Sequence, residues 1–188
     1  MAIDTSAIPR AVQPQPQPQP QPGNPSAAAH SPANKPQNAV SSLLANNTPH
    51  TYPHGDEAVD GVTVAQMTGV DPAKVFKTLV ARGASKTPYV FVIPVACELD
   101  LKKAAKAVGE KSIAMLHVSE LTPLTGYVRG GCSPVGMKKQ LRTVFASQAL
   151  AQETILVSAG KIGYQVEVAP QALIALVRAG TAELTIES

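Results

Sequence analysis

The sequence predicts an α+β domain with a mixed, mostly antiparallel, barrel-like sheet flanked by helices. Three observations carry that expectation. Strand-like runs crowd the middle of the chain, without the regular strand–helix alternation that builds a parallel sheet. Two of them, VFKTLV and YVFVIPV, lie on either side of the short polar link ARGASKTP, which suits a hairpin. Helical patterns flank the strands rather than separating each from the next.

The first 40 or so of the 188 residues stand apart. AVQPQPQPQPQPGNPSAAAHSPANKPQ alternates Pro with Gln, then turns to Ala, Ser and Asn, with almost no large apolar side chain. Such composition cannot offset the entropy of ordering, so residues 1–40 are expected to form a disordered, locally polyproline-like tail reaching toward Asn47, and 41–188 the folded domain. No apolar stretch follows a basic start as a secretory signal requires, and none approaches the ~20 apolar residues of a membrane span. Gln-Pro repeats bind proline-reading domains, but a linker or tail is the simpler account.

In the folded part, DEAVDGVTVAQMTG has helical spacing, with Val59, Val62 or Thr63 and Met67 near one face and Gly69 as its stop. Asp71 caps a turn opened by Pro72. VFKTLV follows as a strand with Val75, Lys77 and Leu79 on one face and Phe76, Thr78 and Val80 on the other. LDLKKAAKAVG is the clearest helix: Asp100 caps it, Leu101, Ala104, Ala105 and Val108 form its apolar stripe, and Gly109 ends it. SIAML reads as a strand and SELTPLTG as a short helix or turn. GYVRGG leaves a strand at Val128 for a glycine loop. RTVFA, ETILVSA and YQVEVA are strands, and PQALIALVRAG is a helix running from Pro170 to Gly180.

Several chemistries can be weighed on these residues. The net charge of +3 is modest, but Lys102, Lys103, Lys106, Lys111, Arg129, Lys138, Lys139 and Arg142 gather in one stretch, a pattern that attracts phosphate or simply solvates a surface. Gly131 and Gly136 have phosphate-loop spacing, yet Met137 and Lys138 stand where that loop needs Lys and then Ser or Thr, and Pro134 removes an amide; these departures argue against an NTPase. Cys97 and Cys132 match no metal spacing and form no disulfide framework, which suits a reducing cytoplasm. Cys97 is expected in the core. Cys132 lacks a recognisable base among His30, His50, His54 and His117, so it reads as a packed thiol rather than a nucleophile. His50, His54 and Asp56 lack a fourth ligand and a rigid scaffold, so no metal or other cofactor is expected. Gly130 and Gly131 let backbone groups approach a ligand, or serve only a tight turn. Lys77 either faces a pocket or lies at a sheet edge with its head in water.

TYPHG, VFKTLV, LDLKKAAKAVG, TGYVRGGCSPVGMKK and SAGKIGYQVEV together resemble the YbaK family of bacterial aminoacyl-tRNA deacylases, relatives of the editing domain of prolyl-tRNA synthetase, over Leu43 to Ala182. The resemblance implies that fold and a trans-editing hydrolysis of misacylated tRNA: Cys-tRNA(Pro), and also Cys-tRNA(Cys). The alternatives are another misacylated tRNA such as Ala-tRNA(Pro), or a binding module without catalysis. By resemblance Lys77 is the lysine on which activity depends, and Gly130 and Gly131 open the G-x-x-x-P loop completed by Ser133 and Pro134. Tyr52, Thr78, Ser158, Gly160 and Gln165 match pocket positions. Ala159 and the Ile162-Gly163 pair depart from the family's usual pattern. The implied partners are aminoacyl-tRNA and, transiently, prolyl-tRNA synthetase; no membrane is implied. No Ser-His-Asp or Cys-His set is present, in keeping with a family whose chemistry uses a substrate group or a positioned water.

Overall fold

The computed structural model of the chain describes residues 36–55, 57 and 59–186. The Pro-Gln tail, His30 and Asp56 therefore lie outside the described residues. The elements in order are α1 (Pro36–Ala45), β1 (Thr48–Thr51), α2 (Gly61–Thr68), β2 (Phe76–Gly83), β3 (Pro88–Pro94), α3 (Leu101–Val108), β4 (Ile113–Met115), α4 (Val118–Thr125), β5 (Arg142–Ala146), β6 (Ile155–Ser158), β7 (Tyr164–Val168), α5 (Pro170–Val177) and β8 (Gly180–Ala182). Short 3₁₀ turns occupy Pro72–Lys74 and Ser147–Ala151.

The strands divide between two sheets, ordered β1-β7-β6 and β4-β2-β3-β5-β8. Four pairings are antiparallel (β1 with β7, β6 with β7, β2 with β3 and β2 with β4), while β5 lies parallel to both β3 and β8. The sheet is thus mostly antiparallel as expected, but it is two open sheets linked at the parallel bridge between Val75 and Leu156 rather than a closed barrel. The expected hairpin forms with Lys77 opposite Ile93 and Thr78 opposite Val92.

β3 explains why the five-stranded sheet needs cover on both faces. Val90 and Val92 enter a core shared with Ile155, Val157, Val166 and Val168 of the smaller sheet. The alternate residues Tyr89, Phe91 and Ile93 pack with Ala104, Ala105 and Val108 of α3. A strand buried on both faces loses its polar alternation, which is why this one reads as a continuous apolar run. α3 is held as its ends dictate: the Asp100 carboxylate accepts from the Lys102 and Lys103 amides, and Gly109 adopts φ 78° at the stop. Leu101, assigned to the apolar stripe, is instead exposed.

Other expectations are corrected. Residues 36–45, inside the stretch whose composition predicted disorder toward Asn47, form α1, which crosses the expected domain boundary and sends Leu43 into the core. α2 begins only after Asp60, whose carboxylate accepts from the Val62 and Thr63 amides; Val64 and Ala65 are its buried face, and Met67 is exposed. Val128 is 51% exposed and belongs to no strand. α5 stops at Val177, capped by Arg178 in the left-handed region at φ 54°, and Gly180 starts β8. Cys97 is half-buried.

Candidate active site

The site grows from a short stretch of β2. Alternation sends Phe76 and Val80 into the core between the sheets and places Thr78 between them. Lys77 belongs to the opposite set with Leu79. Its half-buried ammonium donates to the Val95 carbonyl at 3.0 Å. Partial removal from water lowers its pKa below that of an ordinary lysine, against the pull of Cys97, Glu98 and Asp60. An ammonium has three protons, so one bond to a carbonyl leaves two for a ligand.

The glycine loop is built for two separate reasons. Gly131 donates its amide to the Val128 carbonyl at 3.1 Å, and Gly130 sits third in that turn with φ 83°. A turn with a positive φ at that position calls for glycine. Gly131 is required by proximity: a Cβ there would lie 3.2 Å from the Ile162 nitrogen and from the Lys161 carbonyl carbon. The loop therefore presses on the turn after β6. Tyr127 cinches the two: its hydroxyl donates to the Val135 carbonyl at 2.6 Å, and its ring edge would meet a Cβ on Gly160 at 3.0 Å.

These elements surround a cleft of about 520 Å³. Of the residues expected to act, Lys77, Thr78, Gly130, Tyr52, Ser158 and Gln165 line it. Gly131, Ser133, Pro134 and Gly160 do not. Ser133 is fully buried, and its hydroxyl accepts from the Val135 amide at 3.2 Å, so it braces the loop from behind. Tyr52 reaches the cleft because its amide donates to the Gly163 carbonyl, extending the β1–β7 pairing by one residue. Ser158 pairs with Gln165 across β6 and β7. Thr78 Oγ1 and Gln165 Oε1 are buried with no hydrogen-bond partner among the described residues, so both are available to a bound ligand.

Cys132 also lines the cleft, but burial raises its thiol to about 12. At neutral pH it stays protonated and is no nucleophile. His50 is bound to Glu167, Nε2 to Oε2 at 3.0 Å, and His54 Nδ1 donates to the Gly55 carbonyl. The described residues contain no group of three His, Cys, Asp or Glu able to hold a metal.

Sequence reasoning missed part of the lining. Leu116, Val118 and Leu121 supply an apolar wall from α4 and the residues before it, and Asp60 and Gly61 bring the start of α2 to the opening. Nothing local in those stretches signals a pocket. Arg129 and Tyr164 line the cleft as well; their places beside Gly130 and Gln165 were the available clue. Lys102, Lys103 and Lys106 do not line it, and Lys103 instead donates to the Thr185 carbonyl. Lys77 and Arg129 are the cationic side chains of the lining.

Comparison with known proteins agrees with this geometry. The aminoacyl-tRNA editing domain family matches residues 56–176. EbsC of Enterococcus faecalis, which bears the name of a Cys-tRNA(Pro)/Cys-tRNA(Cys) deacylase, is 46% identical over 136 residues, covering 72% of this chain and 83% of EbsC. A solved structure assigned as a trans-editing enzyme for prolyl-tRNA synthetase is 25% identical, covers 85% of this chain and all of its own, and superposes with a TM-score of 0.71. The protein APE2540, at 20% identity with coverage of 78% and 99%, shares the fold with a TM-score of 0.69.

Proposed function

The chain belongs to the aminoacyl-tRNA editing domain family, and on that premise we propose that it acts in trans to hydrolyse the ester between a wrong amino acid and the terminal ribose of tRNA. Cys-tRNA(Pro) is the principal substrate and Cys-tRNA(Cys) a second. The observation that carries this is the single cleft lined by both Lys77 and Gly130 beside two unpartnered polar atoms, with its thiol held protonated.

An aminoacyl ester is already activated, so the protein needs to hold it and stabilise the tetrahedral oxyanion. The Gly130 backbone faces the cleft without a Cβ and orients the aminoacyl head. Gly131, Ser133, Pro134 and Gly160 fix that backbone from behind. Thr78 and Gln165 hydrogen-bond the polar groups of the substrate, with Tyr52 and Ser158 completing the wall. Lys77 anchors the nucleotide end, and its charge acts more strongly beside the apolar wall than it would in water. Attack comes from a substrate group, the cysteine thiol or a ribose hydroxyl, or from a water held in the cleft.

A transient complex with prolyl-tRNA synthetase would place the enzyme where mischarged tRNA is released, in the cytoplasm. No helix among the described residues is long and apolar enough to cross a membrane.

The test is incubation of the purified chain with tRNAs charged with Cys, Ala, Ser and Pro. Loss of the cysteinyl species alone is the expected result. Loss of the alanyl species would redirect the substrate, and loss of none would leave a binding module in place of an enzyme.

A further inference from the structure

The turn after β6 carries a cluster that hydrolysis itself does not require. Tyr164, at the start of β7, lines the cleft yet is 44% exposed, whereas Tyr52 on the adjoining wall is only 8% exposed. The cleft therefore passes from a buried tyrosine to an open one at its edge. His54 joins the two: its ring centroid lies 6.3 Å from that of Tyr52 and 6.4 Å from that of Tyr164. Lys161 holds its ammonium 5.7 Å from the Tyr164 ring centroid.

The positions are enforced. A Cβ on Gly163 would fall 1.7 Å from the His54 ring, so glycine is what lets that ring lie against the turn. Tyr52 in turn donates its amide to the Gly163 carbonyl. One glycine thus seats both the histidine and the tyrosine.

We propose that Tyr164, flanked by His54 and Lys161, is a stacking platform for the unpaired terminal base of the acylated RNA. This rests on the deacylase reading, since it takes the ester to lie deeper in the same cleft. A half-exposed aromatic ring with an ammonium over it matches a planar base tied to a phosphodiester: the ring takes the base, and Lys161 exchanges its contact with the ring for one with phosphate. Stacking is indifferent to the tRNA body, so the platform holds the end shared by every tRNA and leaves discrimination to the aminoacyl pocket.

The test is a two-by-two comparison using the full chain. Binding is measured for a labelled, uncharged single-stranded RNA ending in CCA and for the same RNA with its last base removed. For the unsubstituted protein, base removal weakens binding about tenfold. With Tyr164→Ala the intact RNA binds about tenfold more weakly, and base removal then has no further effect. Tyr164→Phe retains the base dependence, which also controls for folding. On cysteinyl-tRNA, the loss in Tyr164→Ala falls in KM rather than kcat. An unchanged effect of base removal in Tyr164→Ala overturns the platform, as does an unsubstituted protein indifferent to the base. Base-dependent binding without hydrolysis of any charged tRNA would keep the platform and remove the deacylase; hydrolysis without coupling between Tyr164 and the base would do the reverse.

Discussion

Replacing Gly131 by alanine tests how the glycine loop is held. The added Cβ would lie 3.2 Å from the Ile162 nitrogen, 3.2 Å from the Lys161 carbonyl carbon and 3.3 Å from the Lys161 Cα. All three are backbone atoms, so no flexible side chain can yield; one loop must move by a few tenths of an ångström. Overpacking of this kind costs about 1–3 kcal/mol. Alanine stiffens the unfolded chain and returns about 0.4–1 kcal/mol. The net loss, about 1–2 kcal/mol, corresponds to a fall in melting temperature of roughly 2–8 °C for a domain of this size. Because Gly130 moves with its neighbour, the deacylation rate constant should also fall, by about tenfold, as misplacement of a positioning group does. Thermal unfolding by circular dichroism and single-turnover deacylation read the two effects. Gly180→Ala, where an added Cβ meets nothing within 4 Å, is the control: it keeps the unfolded-chain gain without the clash and should melt no lower than the parent does. A Gly131→Ala protein with parental melting temperature and rate would refute the close packing of the two loops.

Two further outcomes follow from charge. Burial lowers the pKa of Lys77, so if its ammonium is needed, activity should decline on the alkaline side at a lower pH than an ordinary lysine would give. A pH–rate profile flat through that range would contradict the role. Glu167 accepts from Thr154 at 2.6 Å and from His50 at 3.0 Å, and these bonds hold its carboxyl below the usual range. Its folded-state pKa is depressed, so its contribution to stability is full above the unfolded value of about 4.3 and is lost as pH falls through the lower folded value. Glu167→Gln should therefore flatten that part of the acid-unfolding curve, measured by urea midpoints across the range; an unaltered slope would mean the network holds no pH-dependent stability.

What could be read from the sequence was local. Asp100 and Gly109 bracket α3 because cap chemistry is written in single residues, and the β2–β3 hairpin follows from two strand runs and the turn between them. Lys77, Thr78, Gly130 and Gln165 were identified through motif likeness and do share one cleft. The failures were non-local. β8 exists only because Val144, Phe145 and Ala146 of β5 offer it a parallel edge, and no pattern in Gly180–Ala182 announces that. With Gly180 taken up in a strand, Arg178 ends α5 in a conformation more often given to glycine. Val128 reads as strand because it follows Tyr127, but that tyrosine is turned to brace the loop and leaves Val128 in solvent. Ser133 follows Cys132 in the loop motif, but that its hydroxyl is fully buried and accepts from the Val135 amide is set by the loop's fold and not by the motif.

The most direct measurement is the rate at which Lys77→Ala removes cysteine from Cys-tRNA(Pro), with circular dichroism confirming that the variant is folded. With the ammonium gone from the cleft, the rate should drop by about 10²–10³-fold while the fold persists. A folded variant that deacylates at the parental rate would show that Lys77 and the glycine loop do not act on one bound ester.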